Sequence, residues 1–180
     1  MQTFLTSKDF RTSAEQLDNK RLNNQLNESR VILAALAKKA NGETKVPWSN
    51  HPAPKMWEGY EDAFMQYNLA HAYEAQDRGI KIDVNWDAIV SIYEDTFASM
   101  FRGLFFPPWY VDSVQLDKVL TTHQANLYRK DPDFYAEWKW ISDWLYENES
   151  WSVCCPVRNK KNGAWVKRCD YYWPTHKETS

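Results

Sequence analysis

Two groups near the start of the sequence could do acid/base chemistry, an N-terminal amine and a carboxylate on an amphipathic stretch. Gln2 follows Met1, and aminopeptidases remove Met only before small residues, so Met1 is expected to keep its α-amine as the N-terminus. Such an amine has a reference pKa of about 7.7–8.0, is partly neutral close to physiological pH, and is a competent nucleophile toward a carbonyl-like carbon. The carboxylate is Glu28, on the stretch Leu17 to Leu36. At about 100° per residue, Leu22, Leu26, Leu33 and Leu36 share one helix face. Asp18, Arg21, Gln25 and Glu28 line an adjacent stripe. A carboxylate beside the core is either desolvated, which raises its pKa, or held ionised by a neighbour such as Arg21, and both suit acid/base work. A solvated row of ion pairs has the same spacing.

Other chemistries find less support. Cys154, Cys155, Cys169 and His176 are four ligand types, but adjacent cysteines are poor zinc spacing and there is no C-x-x-C, so no metal is expected. Walker, G-x-G-x-x-G and G-x-S-x-G patterns are missing, which leaves nucleotide folds and serine hydrolases unsupported and no cofactor implied. His51 stands in a loop just before a helix, and His123 lies between Leu120 and Leu127 on the inner side of another, the setting of a core-bonded imidazole. The last thirty residues interleave Arg158, Lys160, Lys161, Lys167 and Arg168 with aromatic rings, a pattern shared by nucleic-acid surfaces and solvated hairpins.

These groups must be positioned by helices. Met1 to Arg11 reads as a short extended arm anchored by Phe4, Leu5 and Phe10. Thr12 and Glu15 fit a capping box that opens a first helix running to about Lys39, where Asn41-Gly42 stops it. A second helix is expected from Pro54 to Gly79, a third from about Asn85 to Met100, a fourth from Val111 to Arg129 and a fifth from Asp133 to Asn148. The apolar turn Phe105 to Tyr110 reads as a core plug, and Lys161-Asn162-Gly163 as the turn of a terminal hairpin. The expectation is a mainly α, compact single-domain fold of about five helices with a short C-terminal β-hairpin, residues 1–150 helical and 151–180 a hairpin or tail packed on them.

Bulk properties agree with that picture. The 180 residues suffice for one core, and 22 Lys+Arg against 24 Asp+Glu leave a net charge of −2, so a nucleic-acid partner must be met by a local patch. Ten Trp, ten Tyr and eight Phe with only five Gly indicate a rigid chain with large packing groups. Three Cys and no signal-like N-terminus point to a reducing, cytoplasmic setting, with no membrane span and a monomer as the expected state.

Four motifs, in order, resemble a known family: LDNKRLNNQLNE, NHPAPKMW, YEAQDRGIKID and HQANLYRKDPDFY. They are similar to the pyrimidine-dimer DNA glycosylases of the endonuclease V type, phage and bacterial branch, over Met1 to about Tyr135. The resemblance implies a helical domain that acts on damaged or modified pyrimidines in double-stranded DNA. It implies a Schiff base from the Met1 amine, with Glu28 as the assisting acid, followed by β-elimination. Arg21, Gln25, Arg30, His51, His123, Arg129 and Lys130 are the expected DNA-facing residues. Asn27 stands where the dimer-specific phage enzyme has an arginine, so no particular lesion is assigned. Two alternatives keep their place: an enzyme of the same fold processing a modified base or nucleotide, and a non-catalytic nucleic-acid or protein-binding module.

Overall fold

A computed structural model describes residues 2–101, 103–148, 154–158, 165–169 and 171–174. Its described part contains eight helices, five of them longer than six residues: α1 (Phe10–Glu15), α2 (Asn19–Ala40), α3 (Pro52–Trp57), α4 (Glu61–Asp77), α5 (Asp83–Thr96), α6 (Pro108–Val111), α7 (Ser113–Lys130) and α8 (Lys139–Asn148). Two short strands, β1 (Cys154–Arg158) and β2 (Trp165–Cys169), pair antiparallel with Cys154 opposite Cys169. The expected turn at 161–163 lies outside the described residues, as do Met1 and His176.

The long helix α2 is the axis. At 1.5 Å per residue its 22 residues span about 33 Å. Leu22, Leu26, Ile32 and Leu33 are fully buried, and Leu36 nearly so, as their spacing predicts. Beside them Trp57 of α3 and Phe64 and Tyr67 of α4 form an aromatic centre, with Trp57 ring centroids 4.9 Å from Phe64 and 5.6 Å from Tyr67. The expected plug is real at its end: Trp109 and Tyr110 are buried, and the Trp109 indole donates to Met56 O at 2.9 Å. Phe105 at its start is exposed.

Aspartate side chains cap α1, α2 and α7, and the first break falls at such a cap. The single first helix expected from the Thr12/Glu15 pair is two helices. Asp9, not Thr12, is the cap of α1, accepting from Thr12 N at 2.7 Å, while Glu15 pairs outward with Arg11. Asp18 caps α2 by accepting from Lys20 N and Arg21 N. Between them the free carbonyls of Glu15 and Leu17 accept from the Arg78 guanidinium at 2.7 and 2.6 Å, and Glu74 holds that guanidinium from behind. The second expected helix divides likewise at Gly59, whose φ of +83° suits glycine and ends α3. The fifth begins later than Asp133, with a 3-10 turn at Ala136–Trp138 ahead of α8.

Asp18 does more than cap. Tyr135 donates its hydroxyl to Asp18 Oδ2 at 2.6 Å and accepts from Asp18 N at 2.9 Å. Arg21 joins Asp18 at 3.0 Å to Asp131 at 3.2 Å, tying the turn after α7 to the start of α2. Burial alone would raise the Asp18 carboxyl, but the bonds from Tyr135 and Arg21 outweigh it and the net pKa is lowered. A depressed carboxyl stabilises the fold above its unfolded pKa of about 3.9 and loses that contribution as pH falls through the folded value. Asp18→Ala is therefore expected to cost about 2 kcal/mol or more in urea unfolding. Asp18→Asn, which can keep the cap, should lose the part of the wild-type acid sensitivity that appears below about pH 4.

Candidate active site

An extended arm that joins no sheet must find acceptors and donors for its backbone elsewhere. Here side chains from across the fold supply them. Phe4 N donates to Gln25 Oε1 of α2 at 2.8 Å, and Leu5 N donates to His123 Nδ1 of α7 at 2.9 Å. The Tyr67 hydroxyl of α4 lies 2.9 Å from Phe4 O and 2.8 Å from Gln25 Oε1, one proton shared between two acceptors. Thr6 N and Ser7 N both donate to Ser13 Oγ, Gln124 Nε2 donates to Thr6 O, and the Tyr110 hydroxyl donates to Lys8 O. Thr3, Phe4, Leu5 and Thr6 are all buried.

The clamp fixes the state of His123. Burial pushes its pKa down to about 3, and protonating Nδ1 would break the bond from Leu5 N, so the ring is neutral. Since Nδ1 accepts, the proton sits on Nε2. That nitrogen is 3.1 Å from Gln2 Nε2, which donates to Thr3 O at 2.9 Å.

Each member of the Asp18, Arg21, Gln25, Glu28 stripe has a different task. Glu28 is half-buried and accepts from Asn24 Nδ2 at 3.3 Å. Arg21 is committed to Asp18, Asp131 and Lys130 O, which corrects the expectation that it sits against Glu28. Gln25 and His123, expected at the DNA-facing surface, are fully buried and hold the arm instead. Their polarity on apolar faces was the visible signal, but its meaning depended on the arm. His51 caps α3, its Nδ1 accepting from Ala53 N at 3.1 Å. Its pKa is lowered by burial, while Glu28 raises it.

Cations lie near the start of α2. Lys20, Arg21 and Lys130, with Asn23, Asn24 and Asn27, line an open cleft of about 700 Å³ that reaches Phe4. Arg30 is half-exposed, with Nη2 donating to Asn27 Oδ1 at 3.4 Å, and Arg129 donates from Nε to Ser142 at 3.3 Å. The described end of the tail, residues 171–174, reaches the arm. Tyr172 N donates to Thr122 Oγ1, and the Tyr171 ring lies 6.0 Å from Phe4 and 5.4 Å from His123. Among the described residues no group of three or more His, Cys, Asp or Glu is placed to hold a metal.

These features define a helical protein with its N-terminal arm pinned beside a carboxylate-bearing helix. Residues 1–88 match the model of the pyrimidine dimer DNA glycosylase family. The resemblance extended on motifs to Tyr135 is thus shown for the arm, α1 to α4 and the first turn of α5. No curated protein and no solved structure matches the chain.

His123→Leu leaves the Leu5 N–H buried without an acceptor and should cost about 1–3 kcal/mol, whereas His123→Asn retains an acceptor oxygen and should cost less. A His neutral in the fold but protonated when unfolded stabilises less as pH falls below its unfolded value of 6.5, down toward the folded value of about 3. Urea unfolding between those limits should therefore show a weaker pH dependence for His123→Asn than for the wild-type chain.

Proposed function

We propose that this protein is a DNA glycosylase with AP-lyase activity on damaged or modified pyrimidines in double-stranded DNA, working through the Met1 α-amine and Glu28. The observation that carries the reading is the hydrogen bond from Phe4 N to Gln25. It pins the arm to α2 three residues, or about one turn, from Glu28. The family match over residues 1–88 supports a DNA repair glycosylase in particular.

In this reading the neutral amine attacks C1′ as the glycosidic bond breaks and the base leaves with the bonding pair and a proton. The C1′–O4′ bond then opens, O4′ taking the bonding pair and a proton from the Glu28 carboxyl while the nitrogen lone pair forms the protonated imine. Glu28 stabilises that cation and then takes the C2′ proton, and the resulting electron pair expels the 3′ phosphate by β-elimination. Lys20 and Lys130 at the cleft are suited to backbone phosphates. The carboxamides of Asn23, Asn24 and Asn27 both donate and accept, which suits base edges and favours, as a second reading, recognition of a modified base rather than a dimer.

Borohydride added to the protein on an abasic duplex should trap a covalent adduct whose attachment maps to the N-terminal residue. Glu28→Gln should slow strand cleavage by about 10²-fold or more. An adduct that persists after selective blocking of the α-amine, or none at all, rules the mechanism out. Affinity for the duplex should fall steeply with salt, in proportion to the phosphates contacted.

A further inference from the structure

Trp48 is the only non-glycine residue with positive φ among the described residues, at +67°. It occupies the third position of the turn Val46 to Ser49, closed by Ser49 N donating to Val46 O at 3.3 Å, with Pro47 at the second position. That is the layout of a type II turn, in which the third position takes glycine. A bulky residue held there is strained, and the strain is not repaid by burial, because Trp48 is 58% exposed. Strain of this kind persists where the position of the side chain matters to function.

The ring is also anchored toward the site. Trp48 meets His51 edge-on at 6.0 Å, and His51 meets Trp173 edge-on at 5.8 Å. Trp173 lies 5.8 Å from Tyr171, which lies 6.0 Å from Phe4, the residue clamped by Gln25. A continuous row of rings thus runs from the buried arm to solvent and ends in Trp48. His51 N donates to Trp48 O at 2.8 Å, which couples the strained turn to the imidazole backbone as well.

We propose that Trp48 is a stacking platform for an unpaired nucleobase at the mouth of the active site. A paired base has both faces covered by its neighbours, so only an unstacked base offers a face to an exposed indole. The proposal rests on the DNA reading above, which requires a disrupted base pair next to the site. It adds a specificity element that is separate from the amine and the carboxylate.

The test compares wild-type protein, Trp48→Gly and Trp48→Phe. Each is titrated against a duplex with an uncleavable tetrahydrofuran abasic analogue opposite 2-aminopurine, and against the fully paired duplex. The wild-type chain should prefer the first duplex and change the 2-aminopurine fluorescence. Trp48→Gly should lose about tenfold or more in affinity for the first duplex, little for the second, and the fluorescence change, with Trp48→Phe between. Because glycine relieves the turn, the Tm of Trp48→Gly should stay level or rise by about 2–4 °C. A packing role predicts the reverse, so a lower Tm, equal losses on both duplexes, no preference in the wild-type chain or unchanged binding by Trp48→Gly each overturns the proposal. Borohydride trapping on a natural abasic duplex, run in parallel, separates the two readings. Selective loss without any trapping would leave the platform standing and remove the lyase; trapping with Trp48→Gly unaffected in binding would do the opposite.

Discussion

The structure depends on one constraint: the arm brings buried peptide groups into the core with no neighbouring strand to pair them. Every such group needs a partner, and an unpaired one costs about 1–3 kcal/mol. The partners come from five helices, with Ser13 on α1, Gln25 on α2, Tyr67 on α4, Tyr110 on α6, and His123 and Gln124 on α7. Polar residues that would otherwise be liabilities in an apolar interior are there because the arm needs them. The arm in turn cannot slide by a residue, since a shift would present carbonyls to acceptors and amides to donors.

The electrostatics of the interior follow from the same arrangement. His123 serves as a neutral acceptor, and burial keeps it so. His71, one turn after Tyr67, is also neutral, with burial pushing its pKa down to about 4 while its Nδ1 bonds to Tyr67 O at 2.8 Å. Charge is confined to the rim, where Asp18, Arg21 and Asp131 form a bridge and Arg78 gathers the carbonyls between α1 and α2. The family match covers residues 1–88, yet His123, Gln124, Tyr135 and Tyr171 all lie beyond it. The second half of the chain locks what the first half presents.

Much of this was legible in the sequence, and the remainder was hidden for a physical reason. The leucine spacing of α2 located its buried face correctly, because burial on one helix is a matter of period alone. The polar stripe could be placed but not interpreted, because the roles of Asp18, Arg21 and Gln25 are set by Tyr135, Asp131 and Phe4, which are distant in sequence. Thr12 and Glu15 satisfied a capping pattern that Asp9 satisfies better in space. His123 was read as a core histidine and also as a DNA contact; its burial selects the first, and its partner, the arm, could not be seen from helical spacing. Trp48 carried no signal at all in composition, since only a backbone angle distinguishes it from the other tryptophans.

The bond between Leu5 and His123 closes a loop of 118 residues. Contacts this long in sequence form late, after the entropy of closing the intervening chain has been met by other packing. The arm is made among the first residues, and its bonds to His123 and Gln124 cannot form before α7 exists. During synthesis, at about 5–20 residues per second, the helices of the first half can collapse around a vacant groove while the terminal segment stays outside it. Completion of the arm's set of partners is thereby made conditional on α7, so that a product interrupted before that helix contains α2 and Gln25 but no acceptor for Leu5 N.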